Sequence, residues 1–304
     1  MKTLLANQGL AMQMRRIQVI VDRVPLAVTR AGQGVPVVCL SATGHDAGDF
    51  AALAQRVDKQ CELICIEWPG HGHSGQDHRP ACAARYSELV DGVMNTLGLG
   101  AAVMLGNSIG GAAAILCAAR RPVRALVLCD SGGLLAITGA VRKFCALFEK
   151  FFAAGERGAW WYQPIFTVYY RLVLPQRAAA AQRRRIVAQA RARAPVLRQA
   201  WASFARSDAD IRATAAGLNV PIWVAWGKQD RIISLAACLP AIRQFKHYTL
   251  DTFAAGHSAF LEQPDEFAEK FLKFVAGLMP SAEAAPAGAI DPPVAARVPG
   301  LEMR

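Results

Sequence analysis

A chain of 304 residues with 53% hydrophobic and 19% charged residues has ample apolar material for a large core and too little charge for a disordered chain. Its net charge of +11 is concentrated, because residues 133–213 carry 14 Lys/Arg against 4 Asp/Glu while the remainder is close to neutral. That distribution argues against nucleic-acid binding by the whole molecule and ties any electrostatic partner to one segment. The opening "MKTLLANQGLAMQM" has one lysine and no sustained apolar run, and no uncharged apolar stretch reaches spanning length, which predicts a cytoplasmic protein with no signal peptide and no membrane span.

Residues 1–16 read as an N-terminal extension. The next stretch, "IQVIVDRVPLAVTRAGQG", has the pattern of an antiparallel hairpin at a sheet edge. From 35 to 130, short β-rich runs ("VPVVCLSA", "CELICIEW", "AAVMLGN", "ALVLCD") alternate with segments of helical length at 46–59, 81–97 and 108–120. Nearly uncharged strands separated by amphipathic helices predict a doubly wound, mostly parallel α/β sheet, with the core at 17–132 and 214–278. Residues 133–213 break that rhythm. They are aromatic and arginine-rich with helical spacing at Ile186, Ala190, Leu197, Trp201 and Phe204, which predicts an inserted all-helical cap whose last helix Pro195 kinks or divides. The rhythm resumes with the strand "PIWVAWG", a helix near 235–244, the strand "HYTLD" and an amphipathic helix over 264–278. The Ala/Pro-rich stretch 279–304 reads as a disordered tail.

One junction stands out. "AAVMLG" reads as a strand and "SIGGAAAILCAARR" as a helix, so Gly106-Asn107-Ser108-Ile109-Gly110 places G-x-S-x-G at a strand-to-helix turn. A sharp turn there lifts the Ser108 hydroxyl clear of the sheet, and the Ile109 N–H at the helix start points where an oxyanion forms. A serine hydroxyl needs a base to take its proton and an acid to orient the base. Asp230 and His257 each follow a later strand, and the order Ser108, Asp230, His257 is the chain order of hydrolases built on such a sheet.

Residues from about 17 to 278 resemble an α/β-hydrolase with a helical cap. The similarity is to the broad group of serine esterases, lactonases, cofactor-free haloperoxidases and carbon–carbon bond hydrolases. It is carried by "GNSIGG", "WGKQDRI", "GHSAFLEQP" and the loop "PGHGHSG". The resemblance implies Ser108 as nucleophile, His257 as base and Asp230 as acid, with Asp130 as the fallback acid, and it implies no metal and no organic cofactor. Serine rather than aspartate at the nucleophile position argues against haloalkane dehalogenase and epoxide hydrolase chemistry. After the third strand, most relatives read His-Gly-x, where the N–H of x completes the oxyanion hole. This chain reads "CLSATGHD", with Ser41-Ala42 in place of His-Gly and Thr43 at x. The expected reaction is cleavage of a carboxylic ester, thioester or lactone through an acyl-enzyme. Carbon–carbon hydrolysis is the enzymatic rival, weakened because "SATGHD" and "HSAF" lack that group's Gly-rich oxyanion loop and its Trp after the catalytic His. Haloperoxidase chemistry with the same triad is a further alternative. A hydrolase-fold ligand-binding protein with little turnover is the alternative from another class.

Other signals carry less. Gly70-x-Gly72-x-x-Gly75 matches a dinucleotide fingerprint in letters only, since Pro69 intervenes and the next helix starts well beyond Gly75. His71, His73 and His78 read as polar loop residues, and His247 as a strand residue. The eight cysteines sit mostly in apolar runs without a C-x-x-C pair, as reduced core thiols do. "RRRIVAQARAR" (183–193) reads first as a solvated helix face. A basic cap also suits an acidic partner such as coenzyme A or an acyl carrier protein, and relatives that cleave acyl-carrier-protein methyl esters dock that partner on an arginine-bearing cap. The aromatic residues of 160–170 are expected to line a pocket or pack the cap on the sheet, with an exposed aromatic membrane patch as the weaker option.

Overall fold

A computed structural model describes residues 14–278. The stretch 279–304 and most of 1–16 lie outside the described residues. The first strand already begins at Arg15, two residues inside the expected extension. Strands β1 (Arg15–Val21) and β2 (Val24–Gly32) form the expected edge hairpin. Then come β3 (Val35–Leu40), β4 (Cys61–Ile66), β5 (Val103–Asn107), β6 (Ala125–Cys129), β7 (Ile222–Gly227) and β8 (Tyr248–Phe253). The eight strands lie in the order β1-β2-β4-β3-β5-β6-β7-β8. β2 pairs antiparallel with β4, and every pairing from β4 to β8 is parallel.

Helices cover both faces, which is why β5, β6 and β7 are buried at every residue and read as continuous apolar runs. On one face α1 (Ala51–Val57) packs against the last helix, α11 (Pro264–Gly277), with the short α10 (Ala259–Glu262) between them. On the other, α2 (Ala83–Thr96) packs on α3 (Ile109–Ala118), and α9 (Leu235–Ile242) covers the far end. Successive residues of β3 feed the two cores alternately, Val37 and Cys39 to one and Val38 and Leu40 to the other. All eight cysteines are free thiols.

Between β6 and β7 stand five helices: α4 (Gly139–Glu156), α5 (Tyr162–Val173), α6 (Ala180–Ala188), α7 (Ala190–Phe204) and α8 (Arg212–Gly217). The boundary expected at 213 falls inside α8, which packs on α3 and α9. Pro195 does not divide the chain into two helices. It sits inside α7, and the break falls earlier, at Gln189 between α6 and α7. Ala194, Leu197 and Trp201 are buried on the side that packs along α4, and that packing holds the helix together where proline removes one bond. His247 also departs from expectation: it is an exposed residue just ahead of β8.

The chain runs outward from β3 to β4 in one direction and from β5 through β8 in the other. A crevice therefore opens at the C-terminal ends of β3 and β5, where two neighbouring parallel strands send their connections apart.

Candidate active site

Ser108 lies in that crevice, between the last residue of β5 and the first of α3. Its backbone is strained, with φ 55° and ψ −120°, a region that non-glycine residues seldom occupy. The flanking glycines are needed for close approach. A Cβ at Gly106 would strike the Gly110 carbonyl, and one at Gly110 would strike the Leu40 carbonyl of the neighbouring strand. The Ser108 side chain makes no capping bond to α3, which removes a helix cap as the reason for a serine here.

His257 and Asp230 meet. The imidazole Nδ1 is 2.9 Å from Asp230 Oδ2, and both side chains are almost fully buried. Asp230 Oδ1 accepts the N–H groups of Ile232 (2.7 Å) and Ile233 (3.2 Å), so the carboxylate is fixed in orientation. With Nδ1–H donated to a carboxylate, Nε2 is left as the proton acceptor. His257 and Ser108 line the same cavity.

Asp130 is not bonded to His257 in this arrangement. Its Oδ1 accepts the Gly227 N–H at 2.8 Å, and its Oδ2 is buried without a donor. Burial pushes the Asp130 carboxyl well above the usual carboxylate range, and the nearby Asp230 charge pushes it further. Two neighbouring carboxylates repel, and the resulting rise falls on the fully buried Asp130. One donor atom each from Asp130, Asp230 and His257 lies within 4.8 Å of the others. The oxygens of Asp230, however, are already committed to two backbone N–H groups and the imidazole.

Two positioning residues escaped the sequence reading. Asn107 Nδ2 donates to the carbonyls of Cys129 (3.1 Å) and His257 (2.8 Å), and its Oδ1 accepts the Ser258 hydroxyl (2.9 Å). It staples the end of β5 to β6 and to the His257 loop. Glu262 accepts the N–H groups of Gly256 (2.8 Å) and Gln176 (3.0 Å). Burial pushes its carboxyl up to about 7 despite those bonds. Glu262 lies inside the quoted stretch "GHSAFLEQP", but only the fold shows that its carboxylate holds the histidine loop.

The loop after β3 is held from several sides. The Ser41 carbonyl accepts Trp68 Nε1–H at 2.8 Å. The Gly44 N–H donates to His71 Nε2 at 2.8 Å, and His71 Nδ1–H donates to the Pro69 carbonyl at 2.9 Å. Burial, helped by the nearby Arg193 charge, pushes that imidazole down to about 3, so His71 is a neutral brace and not the solvated loop residue its sequence context suggests. His45 Nδ1 is 2.6 Å from Asp49 Oδ2. Arg193, in the run expected to be a solvated face, is buried: it donates to the Gly44 carbonyl and to Asp46 Oδ2 (2.8 Å). Gln182 joins Asp46 to Asp49 through bonds of 2.9 and 2.8 Å. Residues of α6 and α7 thus clamp the segment that contains Thr43. The hydroxyls of Ser41 and Thr43 are themselves buried without partners.

The cavity of about 140 Å³ runs from Ser108, His257 and Thr43 past Ile109, Leu135, Tyr169 and Trp201 towards Phe144 and Ile211. Its walls are mostly apolar, and a second hollow lined by Arg79, Arg198 and Arg206, each ion-paired to an acid, shares Cys82, Ala84, Ser203 and Asp208 with it. Tyr169 and Tyr170 line it as the sequence suggested, while Tyr162 and Phe166 pack within the helical insertion and Trp160, against expectation, is exposed at the turn between α4 and α5 and lines neither hollow.

A family model described as "Alpha/beta hydrolase family" matches residues 37–270. The chain belongs to the alpha/beta hydrolase family. A pimeloyl-[acyl-carrier protein] methyl ester esterase of Stenotrophomonas maltophilia is 30% identical over 267 residues, covering 82% of this chain and 96% of the relative. A 2-hydroxymuconate semialdehyde hydrolase of Pseudomonas putida is 29% identical over 274 residues, 81% of this chain and 88% of the relative. Among solved structures, a thermophilic esterase from Thermogutta terrifontis superposes with a TM-score of 0.73 at 18% identity, over 87% of this chain and 99% of that one. The eight-stranded hydrolase sheet with its helical layers accounts for that likeness.

Proposed function

We propose that this alpha/beta hydrolase cleaves a carboxylic ester or thioester through an acyl-enzyme on Ser108. The observation that carries the reading is a strained, uncapped serine facing an apolar cavity together with a histidine whose Nδ1 is bonded to a buried aspartate. Ser108 Oγ attacks the carbonyl carbon while His257 Nε2 takes its proton, and Asp230 stabilises the imidazolium that forms. The N–H groups of Ile109 and Thr43 receive the oxyanion. The former stands at the start of α3, and the latter lies on the loop that His71 and Arg193 brace. His257 returns its proton to the leaving alcohol, then activates water, which releases the acid and frees Ser108.

The helices between β6 and β7 act in this reading as a cap that supplies the apolar wall, so the substrate presents an apolar acyl or alkyl chain. The arginine-fringed hollow beside the channel, with the esterase relatives, supports an acyl group carried on coenzyme A or an acyl carrier protein. A fluorophosphonate probe, followed by intact mass, tests the nucleophile. Wild type is expected to gain one adduct and Ser108→Ala none. A wild-type protein that stays unlabelled while binding esters tightly would overturn the catalytic reading in favour of a ligand-binding protein.

A further inference from the structure

We propose that the outward face of α4 and α5 binds an anionic lipid surface. Six of the nine large apolar side chains exposed among the described residues fall between 144 and 172: Phe144, Leu147, Trp160, Ile165, Val168 and Leu172. Trp160 is 83% exposed and Leu147 64%. Ile165, Val168 and Leu172 are spaced i, i+3, i+7 on α5, opposite its buried residues Tyr162, Phe166 and Tyr170. Ring contacts of Tyr169 with Phe148 (5.2 Å) and of Tyr162 with Phe151 (4.9 Å) set α5 beside α4. Phe144 packs on Phe148 one turn along α4 (4.9 Å), and Leu147, three positions after Phe144, is its neighbour on the helix surface.

Charge sets the occupant. Arg142, Lys143, Lys150, Arg157 and Arg171 are exposed on the same two helices and the turn between them, and none has an ion-pair partner among the described residues. The acids between 139 and 173 are Glu149 and Glu156, and Glu156 is bound to Arg198. Exposed Trp and aliphatic side chains ringed by unpaired cations suit the boundary between anionic headgroups and acyl chains. A second copy of this chain would bring like charges together, and the exposed apolar side chains cluster on one segment while single scattered ones are the ordinary case. Phe144 also lines the cavity that contains Ser108, so the apolar face and the cavity share one side chain. The inference does not depend on the chemistry proposed for Ser108.

Flotation of the full-length protein with vesicles of phosphatidylcholine, alone or mixed with phosphatidylglycerol, tests it without any substrate. Wild type is expected to partition onto the anionic vesicles at least about tenfold better than onto the neutral ones, less so as salt rises. The pair Val168→Glu with Leu172→Glu, and separately Lys143→Glu with Lys150→Glu, should each lower that partition about tenfold or more. Unchanged thermal melts would show that both variants fold. Trp160→Ala should abolish part of the vesicle-induced blue shift in tryptophan emission. Equal partition onto neutral and anionic vesicles, or none onto either, overturns the proposal. So does a wild-type dimer in solution that the apolar pair splits, or capture of an acyl carrier protein by this face without vesicle binding.

Discussion

Replacing Arg193 by methionine should uncouple the helical insertion from the loop that carries Thr43. The guanidinium is about nine-tenths buried and donates to both the Gly44 carbonyl and Asp46 Oδ2, while Asp46 is itself largely buried. Removing one partner of a buried ion pair costs about 3–5 kcal/mol. The partial exposure of Asp46 brings the expected loss to about 2–4 kcal/mol, or about 5–12 °C in Tm for a domain of this size. The loss has a pH signature. Burial pushes the Asp46 carboxyl up, but Arg193 and the Gln182 and Gly48 donors more than offset this and hold it below its ordinary value. In wild type this stabilisation is present above the unfolded-state pKa and is lost as pH falls through the depressed folded one. In Arg193→Met the uncompensated charge is relieved by protonation. The gap between the two proteins should therefore be widest near neutral pH and close below about pH 4. Urea unfolding at several pH values measures it, and fluorophosphonate labelling should slow at least about tenfold as the oxyanion loop loosens. An equal stability loss at pH 4 and pH 7, or unchanged labelling, would refute the clamp.

Asp130→Asn keeps the shape of the side chain without its ionisable group, and with the carboxyl held well above its ordinary range stability should stay within about 1 kcal/mol and labelling within about threefold of wild type. Asp130→Leu strands the Gly227 N–H and should cost about 1–3 kcal/mol; a large effect of the asparagine would show that Asp130 is ionised. Glu262 is raised to about 7 in the fold, so the native state holds a proton that the unfolded chain has released between about pH 4.5 and 7. Its contribution to stability should fall by about 3 kcal/mol as pH rises through that window. Glu262→Gln should flatten that part of the pH–stability curve, and an unaltered slope would place the titration elsewhere.

The sheet was legible because each strand is a short apolar run buried on both faces, and such runs survive without knowledge of their neighbours. Ser108 was legible because its glycines are fixed by contacts within one turn and with the adjacent β3. Asp230 and His257 were readable from strand order, and the structure brings them together while leaving Asp130 to one side. What could not be read depends on partners far apart in the chain. Arg193 lies 147 residues from Asp46, and nothing local distinguishes it from its solvated neighbours Arg184 and Arg185. His71 looked like a polar loop residue because its burial comes from packing against a loop 27 positions away. Pro195 misled for the same reason: the contacts that keep α7 whole are supplied by α4.

The insertion also reaches the base directly, since the His257 N–H donates to the carbonyl of Val173 at the end of α5 at 2.9 Å. One module therefore shapes the pocket wall, anchors the loop after β3 through Arg193 and bonds the backbone of His257. Grafting a relative's insertion onto this sheet would import a new pocket but discard both anchors. Under the proposed ester chemistry, pocket shape and the placement of the reacting groups depend on the same helices, so an exchange of those helices must carry the two joints with it.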